Sequence, residues 1–141
     1  MADKDPKLEH LRRVPLFSRC DGLSLADIAR LSDEVDVADG HTLMRQGALG
    51  SEFFLIVDGR VRIERDGATI NTLGPGDFLG EIALLAEERR TATAVTEGPA
   101  KVLVLTRGAF MSLLDTSAGI RSAVLEALGA RIRHLEPDSL D

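Results

Sequence analysis

From Glu34 to Thr106 the chain is cut at short intervals by turn-forming residues: Asp39-Gly40, residues 47–50, Asp58-Gly59, Asp66-Gly67, residues 74–76 and Gly98-Pro99. Between them lie short runs rich in Val, Ile, Leu and Thr. A parallel sheet needs long crossover connections, usually helical, which this spacing leaves no room for. The region is therefore expected to fold as an antiparallel sandwich or jelly-roll β-barrel.

On either side the spacing becomes helical. Residues 8–13 and 24–31 precede the barrel, the second opening on Ser24 and Asp27 as an approximate capping box. Its apolar positions Leu25, Ile28, Ala29 and Leu31 form one face, expected to pack on the following sheet. After Thr106 a short helix is expected over 107–114 and a longer one over 120–135, with Ile120, Val124, Leu128, Ile132 and Leu135 along one side. The expected organisation is one domain over residues 1–141: a helical flank at 8–33, the barrel at 34–106 and C-terminal helices at 107–135.

One excursion interrupts the barrel. Residues 76–85 read Gly-Asp-Phe-Leu-Gly-Glu-Ile-Ala-Leu-Leu, and residues 89–94 read Arg-Arg-Thr-Ala-Thr-Ala. The apolar run 82–86 is too short for an isolated helix, so a turn or two folded on the barrel is expected. At its start the backbone N–H groups of Gly80, Glu81, Ile82 and Ala83 lack intrahelical acceptors, which suits a phosphate. Gly80 has no Cβ and lets a ligand approach the backbone. An arginine adds a charge-assisted contact worth about 1.5–3 kcal/mol when shielded from water. Glu81 would repel a bare phosphate, and as a carboxylate it only accepts hydrogen bonds. A sugar hydroxyl beside the phosphate satisfies it, so the segment reads as a site for a ribose phosphate. Strand alternation puts Arg89 with Thr91, Thr93 and Val95 and places Arg90 opposite, beside the small Ala92 and Ala94. That favours Arg90 for the ligand and Arg89 for solvent.

These residues resemble the phosphate-binding cassette of cyclic nucleotide-binding domains, the family found in catabolite-activator-type regulators, protein kinase A regulatory subunits and cyclic nucleotide-gated channels. The cassette there reads roughly Phe-Gly-Glu-x-Ala-Leu-Leu, a spacer, then Arg-Thr/Ser/Ala-Ala-Thr/Ser. Leu79 stands where the family often has phenylalanine, and Arg89 where it often has proline. Gln46-Gly47, residues 53–61 and residues 73–78 also fit the family's glycine-terminated strands. The resemblance implies that Glu81 holds the ribose 2′-hydroxyl, Arg90 the cyclic phosphate, and Thr91 and Ala92 the rest of the cradle. The nucleotide-binding set it implies is Leu79, Gly80, Glu81, Ile82, Ala83, Arg90, Thr91 and Ala92, with Val61 against the base. It further implies a C-terminal lid or hinge helix, in which Leu128, Arg131 or Arg133 could reach the base, and which could pair with a protein partner or a second copy. The ligand is then cAMP or cGMP. A hydroxyl at Thr91 occurs with both, and cAMP is weakly favoured.

Composition bounds the alternatives. A net charge of −6 argues against direct binding to DNA or anionic membrane. Cys20 is the single cysteine, so no internal disulfide forms. There is no signal-peptide pattern and no apolar run of membrane-spanning length, which leads to an expected cytoplasmic location. His10, His41 and His134 are too scattered for the metal site of a jelly-roll enzyme, so neither metal nor catalysis is expected. Within these 141 residues no helix-turn-helix, kinase or channel module is expected beside the domain. A stand-alone receptor is therefore expected, with a ligand-free interaction module or a fragment of a larger regulator or channel as the alternative.

Overall fold

The computed structural model describes residues 6–140, with backbone only for 131–140. Eight strands, all paired antiparallel, follow two helices, α1 (Pro6–Arg12) and α2 (Gly22–Leu31). The strands are β1 (Asp33–Val37), β2 (Thr42–Met44), β3 (Leu49–Gly50), β4 (Glu52–Arg65), β5 (Ala68–Leu73), β6 (Phe78–Leu79), β7 (Glu88–Arg89) and β8 (Thr93–Thr106). Two helices close the chain, α3 (Arg107–Thr116) and α4 (Ala118–Leu140). The main sheet runs β1-β8-β4-β5, with β2 added on β8 and β6 on β4, while β3 and β7 form a separate ribbon. This is the mainly-β jelly-roll architecture with flanking helices.

Residues 53–56 are consecutive and all buried because both faces of β4 are covered. Phe53 and Leu55, with Leu103 and Leu105 of β8, point into a core shared with the helices; Phe54 and Ile56, with Val102, point into the barrel against Val61, Leu79 and Ala94. The two cores lie on opposite faces of one ribbon. Four of the five phenylalanines are fully or nearly buried.

Two expected turns are bends instead. Asp58-Gly59 lies inside β4 and Gly98-Pro99 inside β8, where the pairing shifts register between Ile56 and Asp58 and again between Asp58 and Arg60. Gly59 and Gly98 take φ of 95° and 83°, and the continuous β4–β8 ribbon bends there without reversing.

The helix ends also differ from expectation. The cap of α2 is Asp21, whose carboxylate accepts the Ser24 N–H at 2.8 Å. Ser24 is itself buried, with its Oγ where a Cβ on Gly119 would come within 2.9 Å, so it packs on α4 and caps nothing. Leu25, Ile28 and Ala29 are buried as expected, but Leu31 is exposed. The helix packs on α1 and α3, and these two meet the sheet.

Only Ser117 separates α3 from α4, so the expected hinge is a one-residue break with its N–H bonded to Leu113 O at 2.8 Å. Thr106 caps α3 by accepting the Ala109 N–H at 3.1 Å. Thr106→Ala should lower stability in urea unfolding by about 1 kcal/mol, the usual worth of a hydroxyl cap. A midpoint equal to that of the parent protein would mean that the sheet, not the cap, holds this helix start.

Candidate functional site

The interruption between β6 and β7 is a single 3-10 turn, Glu81–Leu84, entered through Gly80 at φ 82° and ψ 17°. It is tighter than the expected helix start, and the difference changes the donor set. The Ala83 N–H is bonded to Gly80 O at 3.0 Å, closing the turn, and so is not available to an anion. Ala83 and Leu84 anchor the turn by burial, while Ile82 is exposed.

Arg90 arrives from the other side. Its main chain is held by the loop before β3: the Arg90 N–H donates to Ala48 O, and Gly47 N–H donates to Arg90 O, both at 2.8 Å. Its guanidinium lies in a slot that two glycines leave open. A Cβ on Gly50 would sit 1.9 Å from Arg90 Nε, and one on Gly80 would sit 2.7 Å from Arg90 Nη1 and 2.6 Å from Glu52 O. Gly80 therefore serves the arginine as much as any ligand, and its left-handed backbone also disfavours a side chain. Within the slot Nη2 donates to Glu52 O at 2.8 Å.

Among the described residues Arg90 forms no ion pair with a carboxylate. Burial lowers its proton affinity below the ordinary value for arginine, partly offset by the Glu52 charge. Arginine nevertheless stays protonated, so the site holds a half-buried cation with one carbonyl partner and donors to spare. Arg89, by contrast, is exposed and donates to Gly47 O at 2.8 Å. Residues 90–92 lie between β7 and β8 and form no strand, so the expected alternation does not run through Arg90; within β8 it holds, with Ala94 and Thr96 buried.

Gly80, Glu81, Ile82, Ala83, Arg90 and Thr91 together line one cavity of about 180 Å³, joined by Met44, Glu88 and Arg89. Leu79, Ala92 and Val61 do not line it. They are buried, Val61 and Leu79 in the barrel core. Met44, which sequence reasoning missed, both lines this cavity and packs on that core. It is brought there by pairing opposite Ala94, a long-range register that no local pattern announces. Gly50 was visible only as part of a turn.

Glu81 also borders a second cavity, about 400 Å³, with Pro15, Leu16, Ser18, Arg19, Ala127, Leu128 and Ala130. Leu128 thus faces the 3-10 turn Pro15–Phe17 and Glu81, and is not among the residues lining the Arg90 cavity. The side chains of Arg131 and Arg133 lie outside the described residues. Cys20 is buried, and that burial, reinforced by Asp21, pushes its thiol up to about 11, so it is a packed thiol and no nucleophile at neutral pH. No helix among the described residues is long and apolar enough to cross a membrane.

The family model described as cyclic nucleotide-binding domain matches residues 34–117. A cAMP-dependent protein kinase regulatory subunit of Mycosarcoma maydis is 38% identical over 122 residues, covering 78% of this chain. A cGMP-dependent protein kinase of Caenorhabditis briggsae is 34% identical over 114 residues, covering 76% of it. The chain spans only 23% and 15% of the lengths of those two relatives. Among solved structures, the N-terminal domain of a transcriptional regulator from Streptomyces coelicolor A3(2) superposes with a TM-score of 0.84 at 30% identity, covering 92% of this chain and 93% of that one.

Proposed function

Because this chain belongs to the cyclic nucleotide-binding domain family, we propose that the cavity between Gly80 and Thr91 receives the cyclic phosphate of a 3′,5′-cyclic nucleotide and that the protein works as a regulatory receptor, not a catalyst. The observation that carries this reading is the half-buried Arg90 guanidinium, which has no carboxylate partner among the described residues. An anionic phosphodiester would supply the missing charge in a setting where water screens it poorly. Thr91, exposed on the cavity wall, adds a hydroxyl, and Glu81 accepts from the ribose 2′-hydroxyl.

The base continues into the barrel, past Met44 toward Val61 and Leu79. Those positions are closed in this structure, so binding requires the aliphatic wall to part, and the chain has no Trp or Tyr on which the base could stack. We favour cAMP over cGMP; the two kinase relatives, one of each kind by name, leave both as ligands to be tried.

Glu81 links binding to output. It forms part of the wall that Leu128 and the Pro15–Phe17 turn share, so drawing Glu81 onto a ribose alters the surface on which α4 rests. A ligand shifts α4 only by its differential affinity for the two arrangements, typically about 1–3 kcal/mol. The moved helix would then act on a protein partner or on a second copy of the chain.

The test is calorimetric titration with cAMP, cGMP and 2′-deoxy-cAMP. The wild-type protein should lose about tenfold in affinity when the 2′-hydroxyl is absent, the worth of one hydrogen bond to a charged group. Glu81→Ala should show that loss already with cAMP, and no further loss with the deoxy ligand. Equal penalties for the deoxy ligand in both proteins would remove Glu81 from the ribose, and no heat with any ligand would refute the reading as a whole.

A further inference from the structure

The tip of the β4–β5 hairpin is fastened to the segment that carries Arg90 and Thr91. Asp66, at φ 54° the one non-glycine residue with a positive φ among the described residues, sits at that tip. It is held by a reciprocal pair: Gln46 Nε2 donates to Asp66 Oδ1, and the Asp66 N–H donates to Gln46 Oε1, both at 2.9 Å. One residue earlier, Arg65 Nε donates to the Thr91 carbonyl at 3.1 Å. Gln46 in turn donates its own N–H to Thr93 Oγ1 at 2.9 Å. The next two residues of its loop, Gly47 and Ala48, make the main-chain bonds that hold Arg90. Residues 90–93 are thus gripped by the Gln46 loop on one side and by Arg65 on the other, and the Gln46–Asp66 pair ties the two grips together.

We infer that Gln46, Asp66 and Arg65 are positioning residues of the nucleotide site, setting the placement of Arg90 and Thr91 toward the cavity from outside it. This rests on the function proposed above. The chemistry explains the residue types. A primary amide is the one side chain that offers a donor and an acceptor side by side, and Asp66 presents the matching acceptor and donor because its left-handed backbone turns its N–H toward the same partner as its carboxylate. Asp tolerates that backbone better than most residues, because its short side chain can bond locally. All three side chains are exposed, so their contribution to global stability is small and their effect on the site can be read separately.

The pair can be inverted. Gln46→Glu keeps the acceptor for the Asp66 N–H but sets two carboxylates face to face, whereas Asp66→Asn alone still accepts from the glutamine amide. In the double variant Gln46→Glu/Asp66→Asn the amide and the carboxylate have changed places and both bonds can form again. Titrated with cAMP, Gln46→Glu should bind roughly 5- to 10-fold more weakly, the equivalent of one hydrogen bond and some repulsion. Asp66→Asn and the double variant should lie within about twofold of wild type, the scatter expected of an exposed polar exchange. Melting temperatures should stay together. Gln46→Glu binding as tightly as wild type, or a double variant that fails to recover, overturns the inference. Amide exchange of Arg90, whose N–H is bonded to Ala48 O, in the unliganded proteins separates the two proposals. It should quicken in Gln46→Glu and return in the double variant even if no cyclic nucleotide binds at all, in which case the ligand assignment fails and the clamp stands.

Discussion

Arg90→Ala should reduce cyclic nucleotide affinity by roughly 10- to 150-fold, the range that corresponds to losing a charge-assisted contact of about 1.5–3 kcal/mol. Its guanidinium spends one donor on Glu52 O at 2.8 Å and has no carboxylate within ion-pair distance among the described residues. Partial burial lowers its proton affinity, while its remaining donors stay within reach of solvent. The unliganded protein therefore carries a partly buried cation without an ion-pair partner among the described residues, and its removal should leave thermal stability about level while binding collapses. A residue that mattered only for the fold would show the reverse. Arg90→Lys should recover little, because an ammonium cannot reach both Glu52 O and a phosphate from the slot over Gly50 and Gly80 as a planar fork can. Calorimetry and melting curves on the three proteins decide it; unchanged cAMP affinity in Arg90→Ala would show that the anion is held elsewhere.

Gly80, Glu81, Ile82, Ala83, Arg90 and Thr91 were readable as a group because they belong to one short, local pattern. Gly80, Glu81 and Arg90 stand at the spacing of the family's cassette, and that resemblance, with an assumed strand alternation, pointed to Arg90 over Arg89; the alternation itself fails because residues 90–92 lie between two strands. What was not readable depends on partners far along the chain. Asp66-Gly67 and Asp58-Gly59 are the same dipeptide, yet the first ends a hairpin and the second bends a strand, because β8 pairs with β4 on both sides of Asp58. Likewise, Ser24 resembles a helix cap in sequence, but packing against Gly119 withdraws it and Asp21 takes the role. Met44 and Gly50 join the site through strand register and through the course of the arginine side chain, neither of which has a local signature. The tight 3-10 geometry of residues 81–84 is a further case. The 3-10 bond from Ala83 N–H to Gly80 O removes that N–H from the donors that a helix start would have offered, and composition alone does not distinguish the two closures.

Phe17→Ala should cost about 3–5 kcal/mol of stability, the largest loss expected from any single truncation here and enough to lower the melting temperature by roughly 10 °C. The ring is fully buried, and it stands third in a line of four. Phe78 beside the cassette lies 6.1 Å from Phe53 of β4, Phe53 lies 5.8 Å from Phe17 edge-on, and Phe17 lies 6.0 Å from Phe110 of α3. Truncation at Phe17 thus opens a cavity in the layer where the sheet, the Pro15–Phe17 turn and α3 meet. Phe54→Ala is the matched control, since it removes the same ring from the barrel core and leaves that layer intact. Both variants should unfold earlier, but only Phe17→Ala should raise amide exchange selectively in α3 and the first turns of α4. It should also weaken any change that ligand produces there, because the turn that α4 rests on would no longer be fixed to the sheet. Equal exchange profiles in the two variants would mean that the helical layer is held by its other contacts, Leu113, Ile120 and Val124 among them, and that Phe17 contributes volume without fixing how the layers sit.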